Sequence, residues 1–244
     1  MAMRPAHRVV AVSQLIARQL EEAYGRPAAQ FPVIAPGVAM PPPVSADQRR
    51  EQRQALGLPA QGTLCLLVAR NRMRKGLPTM LQALERLPAD VLLLVVGANP
   101  ASRDCVARMP EAVRQRVHLV AETSQVAPYY QAADLYAHPT LNDSFGMAPL
   151  EAMSFGLPVI LSPAPWCGFA QYVTPGDEAL VLSHPERADE LAAAIERLRS
   201  DPVLRDHLRT GMRAVLARHA WPEVARQYIG LYAEILRERD SLSR

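Results

Sequence analysis

From Thr63 to Ser162 the sequence alternates between short apolar runs and segments with helical periodicity. The runs TLCLLVA, DVLLLVVG, VHLV, DLYAHP and LPVILS have the length of strands, and helical patterns such as LPTMLQALERL and APLEAMSFG lie between them. A strand that is apolar on both faces is typical of a parallel sheet covered by helices on each side. The sequence therefore predicts an α/β domain with a doubly wound, Rossmann-like parallel sheet.

The segments on either side of this domain have different patterns. Residues 1–38 contain a strand-like run, a helix that begins after Ser13 and a second strand-like run, FPVIAPGV. Residues 39–62 contain three consecutive prolines, which neither a helix nor a central strand accommodates, and we interpret them as a linker. Residues 63–220 form the predicted domain together with additional helices, and residues 221–244 form a final helix.

Composition indicates a globular chain and disfavours several functional classes. With 49% hydrophobic and 21% charged residues and no long apolar run, we expect a cytoplasmic protein whose membrane contact, if any, is peripheral. Three widely spaced cysteines argue against a disulfide framework and a zinc site. A net charge of +3 with only 5% aromatic residues argues against nucleic-acid binding.

A basic loop follows the first strand of the predicted sheet. In an open parallel sheet, ligands bind beyond the carboxyl ends of the strands. There the loop ARNRMRKG carries Arg70, Arg72, Arg74 and Lys75. The chain has neither a GxGxxG nor a GxxxxGKS/T motif, so a diphosphate would be neutralised directly by side chains. An ordinary basic turn is the alternative interpretation.

An acidic loop, DSFGMAPLE, follows the fourth strand. Asp143 lies in the loop and Glu151 lies about one turn into the next helix. Free N–H groups at the helix start would point at the same sheet edge, and they belong to Phe145, Gly146, Met147 and Ala148. Helix capping or a dipole interaction would explain either acid alone, but not a basic loop at the same edge. Two carboxylates flanking an amide cluster fit a nucleotide-sugar, with hydroxyls at both ends and phosphates between them.

Four segments resemble, in the same order, the retaining GT-B glycosyltransferases of family four, the glycosyl transferases group 1. HPTLNDSFGMAPLEAMSFGLPVI is similar to their signature, in which an acid, seven residues and Glu surround a Phe-Gly pair. VARNRMRKGL resembles their diphosphate loop, VSQLIARQL the segment that closes their first domain, and VIAPGV their interdomain linker. RKGL and PWCGFAQYV are similar to the lipopolysaccharide core glucosyltransferases of this family. The resemblance implies a C-terminal donor-binding domain, with residues 1–38 as a remnant of the acceptor domain.

The resemblance implies a role for each residue that matches the motifs. Arg70 and Lys75 would bind the donor diphosphate and stabilise the leaving nucleoside diphosphate. Asp143 would hold the transferred sugar together with the amides of Phe145, Gly146 and Met147. Glu151 would accept hydrogen bonds from the ribose hydroxyls.

Other site residues follow less directly from the same resemblance. Base contacts would come from the loop around Ala121 and Glu122. His138, at a strand end beside the site, would donate to the sugar or serve as a structural histidine. The sequence contains no D-x-D motif, which is consistent with a metal-independent reaction that needs no cofactor. Asp143 stands where the family usually has Glu, so the identity of the donor sugar stays open.

The expected function is that of the donor-binding half of a hexosyltransferase. It would transfer a glucose-like hexose from a nucleotide-diphosphate sugar, a UDP-sugar, to a glycan or lipopolysaccharide acceptor with retention. We expect the chain to be inactive without an acceptor domain, or to pair with a second copy. A non-catalytic nucleotide-sugar-binding module is the alternative, and a nucleotide-sugar 2-epimerase fits the basic loop and acidic pattern less well.

Overall fold

A computed structural model describes residues 8–242, with side chains through residue 241. Its centre is a six-stranded parallel sheet with the strand order β3-β2-β1-β4-β5-β6. The strands are β1 Thr63–Val68, β2 Val91–Ala98, β3 Val117–Ala121, β4 Leu135–His138, β5 Val159–Leu161 and β6 Leu180–Val181. This order, with helices packed against the sheet, confirms the predicted doubly wound α/β architecture.

Ten α-helices accompany the strands in the described part of the chain. Two short 3-10 helices, Ala28–Gln30 and Gly168–Tyr172, complete the elements. Within residues 8–242, no helix combines the length and the apolar character needed to cross a bilayer. The α-helices are α1 Gln14–Tyr24, α2 Ala46–Ala55, α3 Leu77–Glu85, α4 Pro100–Ala107, α5 Glu111–Arg114, α6 Ala127–Ala132, α7 Met147–Ser154, α8 Ala188–Ser200, α9 Pro202–Arg218 and α10 Trp221–Leu242.

Each face of the sheet has its own hydrophobic core, and successive residues of a strand contribute to opposite cores. Leu67 and Leu93 pack with residues of α3 and α8 on one face. Leu66, Leu94 and Tyr136 pack with residues of α7 and α9 on the other face. Burial on both faces explains why these strands are apolar throughout rather than alternating.

The strand order reverses between β1 and β4, which pair through Cys65 with Leu135 and Leu66 with Tyr136. The chain moves from β1 to β2 and β3 in one direction, and then returns to place β4 on the other side of β1. Loops diverge at such a reversal and leave a crevice where ligands bind. The basic loop after β1 and the acidic loop after β4 therefore lie at the same point of the sheet edge.

Outside the main alternation the structure differs in detail from the sequence patterns. The two strand-like runs before residue 39 form only isolated bridges, from Ala11 to Val33 and from Val38 to Ala220, because a strand needs a paired neighbour along its length. The predicted linker contains helix α2, which begins at a capping box formed by Ser45 and Gln48. The two-residue strand β6 was not predicted, since so short a run has no periodicity to detect.

Candidate functional site

The loop after β1 is packed tightly against the loop after β4. The Leu141 N–H donates to the Arg74 carbonyl over 2.7 Å, and the Thr140 hydroxyl donates to the same oxygen over 2.9 Å. Gly76 has a φ of 79°, and a Cβ there would lie 2.8 Å from the Pro139 carbonyl carbon and closer still to its oxygen. Only glycine fits this close approach. The two loops are thus fixed relative to each other.

This packing brings Lys75, the predicted diphosphate ligand, into contact with Asp143, the predicted sugar ligand. Lys75 Nζ forms an ion pair with Asp143 Oδ2, and the two side chains are only 15% and 14% exposed. Burial acts to raise the pKa of Asp143, but hydrogen bonds from His138 and Lys75 outweigh it and hold that pKa well below its usual range. Asp143 is therefore ionised. Lys75 is also the only lysine in the sequence.

The loop after β5 supports Asp143 from the opposite side. The Asp143 N–H donates to the Trp166 carbonyl over 2.8 Å, and the Gly168 N–H donates to the Asp143 carbonyl over 3.0 Å. A Cβ at Gly168 would lie 2.9 Å from the Ser144 carbonyl carbon, so glycine is required here as well. Three loops consequently fix the backbone of the predicted sugar-binding acid.

Free backbone N–H groups lie at the start of α7. Gly146, with a φ of 104°, is the residue before the helix, and Met147 is its first residue. Within the described residues, four N–H groups there have no hydrogen-bond acceptor: those of Phe145, Gly146, Met147 and Ala148. Unpaired amides and the positive end of the helix dipole favour an anion at this position.

Phe145 also anchors this loop in an aromatic cluster. Its buried ring contacts Phe169, Tyr172 and His219, with ring centroids 5.4, 5.5 and 5.5 Å away. His219 is the residue after α9, and its Nδ1 donates to the Pro36 carbonyl over 3.1 Å. The loop before α7 is therefore packed against both the end of α9 and the segment that precedes the proline run.

Glu151 lies on α7 and accepts a hydrogen bond from a buried tyrosine. The Tyr130 hydroxyl is 2.8 Å from Glu151 Oε2, and the Phe155 ring stacks on Tyr130 with centroids 5.3 Å apart. Burial, reinforced by Tyr136 and Glu151, raises the pKa of Tyr130 well above its usual value, so the phenol keeps its proton. Glu151 lines a cavity of about 410 Å³ between α7 and the segment around Met40.

Arg70 and Glu122 form a second pair, separate from Lys75 and Asp143. Arg70 Nη2 lies 2.7 Å from Glu122 Oε1, and both side chains are mostly exposed, at 77% and 61%. They border a cavity of about 650 Å³ beyond the carboxyl ends of β1, β2 and β3. Val126 lines this cavity and the one beside Glu151, so the two are neighbours along the sheet edge.

The structure brings most of the predicted site residues to one edge of the sheet. His138 is the residue that lies behind this edge rather than at it. His138 is completely buried and lies behind Asp143, with its Nε2 atom 3.0 Å from Asp143 Oδ2. The sequence analysis assigns neither Tyr136, which contacts His138, nor Tyr130, which contacts Glu151, to the site. Tyr136 and His138 are two residues apart on one strand, and therefore on the same face, which is the signal that was available.

Comparison with known proteins identifies the family of the chain. The sequence model described as glycosyl transferases group 1 matches residues 48–215. The chain is 34% identical to a D-inositol 3-phosphate glycosyltransferase of Xylanimonas cellulosilytica over 95% of this chain and 60% of that protein. It is 28% identical to the lipopolysaccharide glucosyltransferase WaaG of Escherichia coli over 82% of this chain and 51% of that protein.

A solved structure shows the same fold. The Anabaena protein HepE, in complex with UDP-glucose, matches 96% of this chain and 64% of its own with a TM-score of 0.79 and 22% identity. The chain thus spans 60% or less of the lengths of the two curated relatives. Because the family match covers more than half of its residues, the chain belongs to the glycosyl transferases group 1 family.

Proposed function

We propose that the chain is the donor-binding part of a retaining hexosyltransferase that takes a glucose-like sugar from a UDP-sugar. The observation that carries this proposal is the Lys75–Asp143 pair beside the free amides at the start of α7. A cation, a carboxylate and a helix start with unpaired amides lie close together here, and a helix start of this kind favours an anion. The acceptor in this proposal is a glycan or lipopolysaccharide, which the name of the Escherichia coli relative supports.

In this proposal Arg70, Lys75 and the start of α7 bind the diphosphate. Negative charge grows on the diphosphate as the sugar leaves, so fixed cations stabilise the transition state more than the ground state. Arg70 would exchange Glu122 for a phosphate oxygen. An exposed ion pair is worth only about 0–1 kcal/mol, and this exchange would cost little.

The two acids would bind the hydroxyl groups on either side of the diphosphate. Asp143 would accept from the sugar and Glu151 from the ribose, while the loop that carries Glu122 would contact the base. UDP is the nucleotide of this proposal, and the UDP-glucose complex of HepE supports it. The proposed transfer retains the anomeric configuration of the sugar and needs no metal or cofactor. We also propose that the protein is cytoplasmic, with peripheral contact at the plasma membrane.

Calorimetric titration of the 244-residue chain with UDP, GDP and ADP tests the donor site. We expect UDP to bind, and to bind more tightly than the other two. No heat with any nucleotide would rule out the donor site. We also expect no sugar transfer by this chain alone, because it spans only part of the length of its relatives. Sugar transfer by the chain would contradict the proposed division into halves. Nucleotide binding without transfer in any longer form of the protein would favour the non-catalytic module.

A lysine variant tests the diphosphate contact. Lys75→Ala should weaken UDP binding by about tenfold or more, since a charge-assisted hydrogen bond contributes about 1.5–3 kcal/mol. Arg86→Ala is the matched control, because it removes one positive charge at the far end of α3. Because Lys75 is the only lysine, reductive ¹³C-methylation gives one lysine NMR signal, which should shift on addition of UDP. Unchanged UDP affinity in Lys75→Ala would remove the diphosphate role.

A further inference from the structure

A line of buried hydrogen bonds runs from the sheet to Asp143. The Tyr136 hydroxyl is 3.1 Å from His138 Nδ1, and His138 Nε2 is 3.0 Å from Asp143 Oδ2. Tyr136 and His138 are both completely buried. Lys75 reaches the same oxygen, Oδ2, from the loop after β1. Neither Tyr136 nor His138 can contact a ligand, so any role they have is exerted through Asp143.

The chemistry of the partners fixes where each proton lies. Ionised Asp143 only accepts, so His138 Nε2 must carry the proton between them. A neutral imidazole then has a lone pair on Nδ1, and the Tyr136 hydroxyl must donate to it. Every group in the line therefore has one defined role as donor or acceptor.

The charges around His138 agree with a neutral ring. Burial lowers the pKa of His138, and the hydrogen bond with Asp143 only partly opposes this. Lys75 and Arg74 also act to lower that pKa through their positive charges. Tyr136 stays protonated as well, because burial raises its pKa well above the usual value.

Both hydrogen bonds to Asp143 converge on one carboxylate oxygen. His138 and Lys75 contact Oδ2, and within residues 8–242 no hydrogen bond reaches Oδ1. Two donors from different elements prevent rotation of the carboxylate about its last bond. The orientation of Asp143 is thus set before any ligand arrives, and Oδ1 is the acceptor that a ligand hydroxyl would use.

We propose that Tyr136 and His138 are positioning residues, which hold Asp143 so that Oδ1 accepts a hydroxyl of the donor sugar. This inference rests on the proposed function and adds two residues that support sugar recognition without touching the diphosphate. Their loss should therefore weaken the contribution of the sugar to binding, while leaving the binding of the nucleoside diphosphate unchanged. A residue with only a structural role would affect both equally.

The test compares UDP with UDP-glucose on the full chain by calorimetry, and the measured quantity is the ratio of their dissociation constants. In His138→Ala and Tyr136→Phe we expect UDP-glucose to bind about tenfold more weakly, while the affinity for UDP stays unchanged. The preference of the chain for UDP-glucose over UDP should therefore fall about tenfold. His138→Gln should restore most of the loss, because the glutamine amide can donate to Oδ2. Tyr228→Phe removes a phenol oxygen from α10, where the Tyr228 ring packs on Tyr232, and is the matched control.

Histidine ¹⁵N NMR tests the proton positions without a ligand, and His138→Gln assigns the signal. We expect a neutral ring with the proton on Nε2 at pH 6.5, and a rise in the His138 pKa in Tyr136→Phe, which removes the donor to Nδ1. A proton on Nδ1 or an imidazolium at this pH would overturn the proposal even if a variant failed to fold.

The binding outcomes separate this inference from the proposed function. An unchanged ratio in His138→Ala and Tyr136→Phe, or a parent chain that binds UDP and UDP-glucose equally, overturns the positioning role alone. Absence of binding by any nucleotide overturns the donor site and the positioning role together.

Discussion

Substitution of Gly76 by alanine should damage the site through the backbone rather than through charge. Two costs follow from the structure. Alanine at a φ of 79° costs about 1–2 kcal/mol, because left-handed backbone crowds a Cβ. Its Cβ would also overlap the Pro139 carbonyl, and such overpacking costs about 1–3 kcal/mol more.

Gly156 provides the control for this prediction. Its φ of 76° is nearly the same, but a Cβ there would meet nothing within 4 Å. Gly156→Ala should therefore lose only the backbone cost of about 1–2 kcal/mol, and Gly76→Ala a total of about 2–5 kcal/mol. Urea unfolding followed by circular dichroism measures both free energies of unfolding.

The two variants should differ in binding as well as in stability. To relieve the overlap, the loop after β1 has to move away from Pro139, and it carries Lys75 away from Asp143. We expect UDP affinity to fall about tenfold in Gly76→Ala and to stay unchanged in Gly156→Ala. Equal losses of unfolding free energy in the two variants, within about 0.5 kcal/mol, would refute the close approach of the two loops.

Two further predictions concern buried charge and pH. Asp134→Ala should lower the free energy of unfolding in urea by about 3 kcal/mol. The substitution leaves Arg53, which is only 5% exposed, without its carboxylate partner at 2.6 Å. A loss below about 1 kcal/mol would contradict this pairing. Folding lowers the pKa of His138 below its ordinary value of 6.5. Below about pH 6.5 the unfolded chain therefore binds more protons than the folded chain, so the free energy of unfolding should fall as the pH drops. His138→Gln should flatten this dependence between about pH 5 and 7, leaving the part due to His118 and His219; an unchanged slope would show that His138 titrates normally.

The sheet, and the placement of the basic and acidic loops at one edge of it, are predictable because their signals are local. Runs that are apolar on both faces indicate buried parallel strands, and the reversal of strand order then brings the loops of Lys75 and Asp143 together. Helix α2 also has a local signal, because Ser45 is followed three residues later by Gln48, as in a capping box. The three prolines before it indicate a linker, so the two signals conflict. The two strand-like runs near the N-terminus have the composition of strands, but each pairs with a neighbour only at an isolated bridge.

The contacts around the site depended on information that no short segment contains. His138 meets Asp143, with Tyr136 behind it, only because β4 is buried on both faces and the next loop folds back over its end. The Arg70–Glu122 pair joins the loops after β1 and β3 across the intervening strand β2, and the register of three strands sets its distance. Glu151 was identified from its motif, while its partner Tyr130 lies on a different helix.

The aromatic contacts of Phe145 give the loop before α7 a mechanical link to a distant part of the chain. Phe145 touches His219, and His219 holds the Pro36 carbonyl, so the segment before the proline run and the loop before α7 share one packed unit. Each aromatic pair contributes about 0.5–1.5 kcal/mol beyond simple burial. A displacement of residues 31–38 must therefore either break these contacts or carry Phe145 with it. In the second case the displacement would also move the loop that carries Asp143.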